Sequence, residues 1–144
     1  MTQRAPIPVI DLFAGPGGLG EGFASLSDAE GARRFEVKVS IEKDEVAHRT
    51  LSLRALFRSF PKNGAPDCYY DYVKGKIRRE QLFAHPDAAE AGREALAEAR
   101  CAELGKTPHQ TIDAWIRKAV GEASEWALIG GPPCQASRWP GARG

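Results

Sequence analysis

Three places in this chain hold residues whose types and spacing could do chemistry. Near the N-terminus, Gly15-x-Gly17-x-x-Gly20 closes an apolar run, and glycines at this spacing let the backbone approach a ligand where a Cβ would clash. Glu42 follows 22 residues after Gly20 and offers a carboxylate that can accept hydrogen bonds from both hydroxyls of a ribose, which implies an adenosine moiety. Near the C-terminus, Cys134 stands between Pro132-Pro133 and Gln135. The prolines fix φ and so orient a thiol for nucleophilic attack. An ordinary thiol, with a pKa of about 8.5, is only a few per cent ionised at neutral pH, so its substrate must also be activated.

Each feature has a plainer meaning by itself. The glycines could form a tight turn, Glu42 could be a solvated charge favoured at a helix start, and a lone cysteine is usually an inert small hydrophobe, as expected for Cys68 and Cys101. Asp11 is harder to dismiss, because a charge inside an apolar strand is costly to bury. A dehydrogenase strand is usually uninterrupted there, so Asp11 points to a different nucleoside cofactor.

The elements that must position these residues alternate in type. The run 8–14 reads as a buried strand ending at Gly15-Pro16-Gly17-Gly18, and Leu19, Gly22, Phe23 and Leu26 have helical spacing. Residues 35–41 alternate apolar and polar side chains and predict a second strand, with a helix over 44–60 halted by Pro61 and Gly64. This β-α-β-α order predicts an α/β fold, a Rossmann-like parallel sheet with flanking helices that binds ligands at the carboxyl ends of its strands. Residues 61–107 read as an insertion, with a helix expected over 87–104 and Gly105 as its stop. Thr107 is expected to cap a helix with Pro108 at its first position and an apolar stripe of Ile112, Trp115, Ile116, Ala119 and Val120. Residues 126–129 predict another buried strand, which feeds the cysteine loop. The chain thus divides into a cofactor-binding unit at 7–60, the insertion, a helix, strand and catalytic loop at 108–135, and a divergent tail at 136–144.

Composition narrows the class. Twenty Lys and Arg against nineteen Asp and Glu leave a charge of +1, so any grip on DNA must be local or lie elsewhere. No apolar run is long enough to cross a bilayer, and Asp11 disqualifies the early apolar stretch as a signal sequence, which predicts a cytoplasmic protein with no membrane partner. Three cysteines without a CxxC pair suggest neither a disulfide framework nor a metal site.

Taken together, Asp11-Leu12-Phe13-Ala14-Gly15-Pro16-Gly17-Gly18, Glu42-Lys43-Asp44 and Gly130-Gly131-Pro132-Pro133-Cys134-Gln135 resemble the cytosine-5 DNA methyltransferases, in the family's order. The resemblance implies an S-adenosylmethionine site in which Phe13 contacts the adenine, Ala14, Gly15, Gly17, Gly18 and Leu19 surround the methionine moiety, Glu42 holds the ribose and Asp11 orders the loop. Lys43 stands where the family often has an apolar or aromatic side chain over the adenine, and Asp71 is the candidate acid near the adenine amino group. Cys134 resembles the family's nucleophile, adding to C6 of a cytosine flipped from double-stranded DNA so that C5 accepts the methyl group. Pro132, Pro133 and Gln135 would shape that loop.

After Gln135, Ala136-Ser137-Arg138-Trp139 departs from the family pattern. The family's ring-protonating glutamate, arginine-bearing strand, target-recognition domain and final cofactor-binding helix all follow the cysteine loop. The expectation is therefore a truncated or frameshifted product, or one piece of a split enzyme with a complementary chain, having little activity alone. A restriction-modification setting is implied by resemblance only. Two rivals remain: an NAD-type oxidoreductase, which gives the Pro-Pro-Cys-Gln loop no role, and a non-catalytic cofactor-binding fragment.

Overall fold

The computed structural model describes residues 4–61 and 64–131. Among the described residues, four strands form one parallel sheet: β1 (Ile7–Leu12), β2 (Phe35–Glu42), β3 (Ala99–Cys101) and β4 (Ala127–Gly130), in the spatial order β3-β2-β1-β4. The helices described between them are α1 (Gly18–Ser25), α2 (Glu45–Ser59), α3 (Asp67–Val73), α4 (Arg79–Ala84), α5 (Ala89–Glu98) and α6 (His109–Val120). This is the Rossmann-like α/β fold that the alternation predicts.

β1 has strands on both sides and helices on both faces, so its residues are apolar almost without a break, and Val9 and Ile10 are fully buried. Burying side chains of this size contributes roughly 1.5–3 kcal/mol each. Ile10 and Leu12 face α6, where they meet Val39, Ile41, Ile112, Trp115 and Ile116. The expected stripe of α6 is therefore the cover of one face, although the helix begins one residue later than Pro108, which serves as its N-cap in place of Thr107. Asp11 and Val37 face α1, because a Cβ on Gly20 would lie 3.2 Å from the Asp11 carboxylate and 3.5 Å from Val37. Between β1 and β2 the register slips after Val9, whose partner is Val37 while that of Ile10 is Val39; Lys38 is the extra residue of a bulge.

α2 is capped by Asp44, whose Oδ1 accepts from the Ala47 amide at 2.8 Å, and it stops at Phe60, held extended by the following proline. Its buried face packs on α5 and, through Ala55 and Leu56, on Cys68, Leu82, Ala88 and Ala95.

The sheet departs from the sequence-based expectation in two places. The helix expected over 87–104 ends at Glu98, and Ala99–Cys101 pairs instead with Ser40–Glu42 of β2. Pairing satisfies backbone groups on the β2 edge, which outweighs the helical propensity of an alanine-rich stretch. The run 126–129 is not fully buried either. β4 has β1 on one side and no strand on the other among the described residues, leaving Leu128 57% and Trp126 47% exposed.

Candidate functional site

The carboxyl ends of β1, β2 and β3 lie side by side, and the loop after β1 crosses toward β2. Phe13 turns the chain out of the sheet with φ of 57°, a left-handed conformation that costs a non-glycine residue of order 1–3 kcal/mol and that clusters at functional positions. The Ala14 amide then donates to the Ile41 carbonyl at 3.0 Å and buries the Ala14 side chain. Gly15 donates its amide to Oε2 of Glu42 at 2.7 Å, while Oε1 of the same carboxylate accepts from the Asp44 amide at 2.8 Å. Glu42 thus ties the glycine loop to the start of α2. Gly17 closes the turn onto the Ala14 carbonyl at 3.0 Å and begins α1 with φ of 95°. A Cβ there would stand 2.8 Å from Cδ1 of Leu51, which would have to shift, and the positive φ by itself favours glycine.

Asp11 lies beneath this loop, 1% exposed, with neither carboxylate oxygen hydrogen-bonded among the described residues. Burial pushes its pKa from the ordinary 3.8 to about 6. The Gly20 amide in the first turn of α1 pulls it down, although outside hydrogen-bonding geometry, and the charge of Glu42 adds to the rise.

Over the strand ends is a cavity of about 70 Å³ lined by Phe13, Ile41, Glu42, Lys43, Ala102, Glu103 and Leu104. Whole-ligand pockets run to roughly 300–1,000 Å³, so this hollow suits one ring and not a complete nucleoside. The rest of a ligand has room above the loop, where a Cβ placed on Gly15 or Gly18 would meet nothing within 4 Å. Leu19 is half exposed on the first turn of α1, whose amides receive no side-chain cap from Gly17.

The structure therefore brings Phe13, Gly15, Glu42 and Lys43 to one place, with Asp11 under them. Lys43 reaches across the hollow to Glu103 at 3.7 Å, and Lys106 holds the same carboxylate at 3.1 Å, which keeps Glu103 below the usual carboxylate range. Asp71 is elsewhere: it sits on α3, paired with Lys76 at 3.0 Å, and does not line the cavity. Glu103 and its neighbours Ala102 and Leu104 are the wall that sequence reasoning missed. Ala99-Arg100-Cys101, the strand that leads to them, reads locally as the end of a helix, so no local signal marked them. Cys101 is exposed, unlike buried Cys68, and donates to the Lys43 carbonyl at 3.9 Å. Burial and the carboxylates of Glu45, Glu42 and Asp44 push its thiol pKa up, away from the reactive thiolate.

β4 ends opposite Leu12. A Cβ added at Gly130 would stand 2.0 Å from the Leu12 carbonyl oxygen, and the residue has φ of 145°. Pro132, Pro133, Cys134 and Gln135 lie outside the described residues.

The chain is similar to a type II methyltransferase. The relative is M.Bpa9945I of Bacillus paralicheniformis, 24% identical over 143 residues, a match covering 89% of this chain and 31% of the relative. The chain thus spans about a third of that methyltransferase's length. No family model matches the chain, and no solved structure matches it. Among the described residues, no helix is long and apolar enough to cross a membrane.

Proposed function

We propose that the chain is the cofactor-binding portion of an S-adenosylmethionine-dependent DNA methyltransferase of the cytosine-5 type. The observation that carries this reading is the bond between the Glu42 carboxylate and the Gly15 amide at the ends of adjacent parallel strands. It is supported by the similarity to a type II methyltransferase, which spans nearly the whole chain.

The residues fit the cofactor. Each Glu42 oxygen accepts one backbone hydrogen bond and keeps a lone pair for a ribose hydroxyl. The half-exposed Phe13 ring and the aliphatic stem of Lys43 flank a hollow of ring size, and Glu103 presents a carboxylate at its far wall. Ala14, Gly15, Gly17, Gly18 and Leu19 would follow the amino-acid end of the ligand past the uncapped amides of α1. When bound, S-adenosylmethionine supplies a methyl group on a positively charged sulfur.

Cys134 is the proposed nucleophile. β4 ends with Gly130 paired to Leu12, four residues before Cys134 in the sequence, and this closeness along the chain to the strand that feeds the glycine loop supports the reading. Its sulfur would add to C6 of a cytosine drawn out of double-stranded DNA, placing electron density on C5 to accept the methyl group, after which loss of the C5 proton and the sulfur restores the ring. Pro132, Pro133 and Gln135 would hold the loop against the base. Recognition of DNA, and a complementary or continuing chain to provide it, belong to the same proposal, as does a restriction-modification role.

The test is covalent capture. The complete protein that carries this segment, mixed with S-adenosylmethionine and duplex DNA containing 5-fluorocytosine, is expected to give an adduct stable to denaturing electrophoresis and lost in Cys134→Ser. An adduct that persists in Cys134→Ser, or none with the unaltered protein, contradicts the assignment of the nucleophile.

A further inference from the structure

β2 has eight residues and β3 three, so β3 pairs only with Ser40–Glu42 and leaves the first half of β2 without a neighbour on that side among the described residues. A cavity of about 420 Å³ opens over this half, at the far end of β2 from Glu42 and within the usual range for small-molecule sites, roughly 300–1,000 Å³. Glu36 to Val39 line it along the free edge of β2 at the bulge, and α5 and α6 form its walls.

Arg100 crosses the cavity. Its guanidinium stacks 4.9 Å from the centroid of the Trp115 ring, and its Nε is buried with no hydrogen-bond partner among the described residues. A buried N–H without an acceptor is unfavourable, and an Nε–H beside an Nη–H is the edge of arginine that matches a planar carboxylate. The other charges narrow the choice. Glu36 pairs with Lys38 at 2.8 Å, and Glu98 shares Arg58 with Glu21, so Arg100, Lys118 and Glu94 are the charged lining residues without an ion-pair partner among the described residues. Two such cations against one carboxylate accommodate one negative charge, and a second would stand unmatched beside Glu94. Trp115 and Ala119 on one side and Ala97 on the other suit a flat apolar body.

We propose that this cavity is a second ligand site, separate from the hollow at Glu42, and that it binds a small planar monocarboxylate held by Arg100 against Trp115.

Benzoate is the probe. Titrated into the 144-residue chain while the ¹⁵N-indole signal of Trp115 is followed, it is expected to give a saturable shift that benzamide does not reproduce. The signal is assigned with Trp115→Phe. Arg100→Lys keeps the charge but loses the fork, and should weaken binding about tenfold. Lys118→Met, at an exposed position, should weaken it about threefold and serves as the test if Arg100→Lys does not fold. No saturable shift at tens of millimolar, equal affinity in the folded variants, or an equal response to inorganic phosphate would each overturn the proposal.

Discussion

Oε2 of Glu42 lies 2.7 Å from the amide of Gly15, so the acidic residue at the end of β2 and the glycine loop after β1 hold one another in place without a ligand. The same carboxylate anchors Asp44 through Oε1. Glu42→Ala removes both acceptors, and the predicted result is a loss of about 1–3 kcal/mol in urea denaturation. Glu42→Gln keeps one oxygen acceptor and should lose about half as much.

Two glycines should respond to the same substitution with losses of very different size. At Gly130 a Cβ would stand 2.0 Å from the backbone oxygen of Leu12, which cannot move without breaking the β1–β4 pairing. Gly130→Ala should therefore detach β4 and cost more than about 3 kcal/mol. At Gly15 nothing lies within 4 Å, so Gly15→Ala meets only the strain of φ at 57° and should cost about 1 kcal/mol. Denaturation midpoints of the two variants check the contrast.

Asp11 predicts a pH dependence of unusual sign for a carboxylate. Its folded pKa, about 6, exceeds the ordinary 3.8 of the unfolded chain because burial disfavours the charge. Between these values the folded state holds more protons, so stability is greatest below pH 4 from this group and falls as pH rises through 6, by up to about 3 kcal/mol. Asp11→Asn should flatten stability measured between pH 4 and 6.5. An unchanged slope would mean that another group titrates there.

Arg58 joins three elements, pairing with Glu21 of α1 and with Glu98 at the end of α5. Glu98 is mostly buried, and burial raises its pKa against the opposing pull of Arg58. Arg58→Met leaves that carboxylate without its partner and should cost about 3–5 kcal/mol. Adding Glu98→Gln should restore much of the loss, a coupling that a double-mutant cycle measures directly.

Which parts of this arrangement were legible in the sequence follows from how local their signals are. A charge within an apolar run marked Asp11, glycine spacing marked the turn, and alternation marked β2, because each is a property of neighbouring residues. The wall formed by Ala102, Glu103 and Leu104 was not legible, since Ala99-Arg100-Cys101 sits in a helix-favouring stretch and becomes a strand only by pairing with Ser40–Glu42. The apolar run at 126–129 was readable as a strand, but its burial depends on neighbours that no local pattern reports. Asp71 has the right residue type, yet it belongs to a short helix that packs among α2 and α4 rather than at the strand ends.

The central claim is that the rim formed by Phe13, Gly15 and Glu42 binds S-adenosylmethionine. Equilibrium dialysis of the 144-residue chain against labelled S-adenosylmethionine and labelled NAD tests it most directly. Saturable binding of S-adenosylmethionine alone, weakened at least about tenfold in a folded Glu42→Ala variant, is the predicted result. Binding of NAD without S-adenosylmethionine, or S-adenosylmethionine binding indifferent to Glu42, would contradict it.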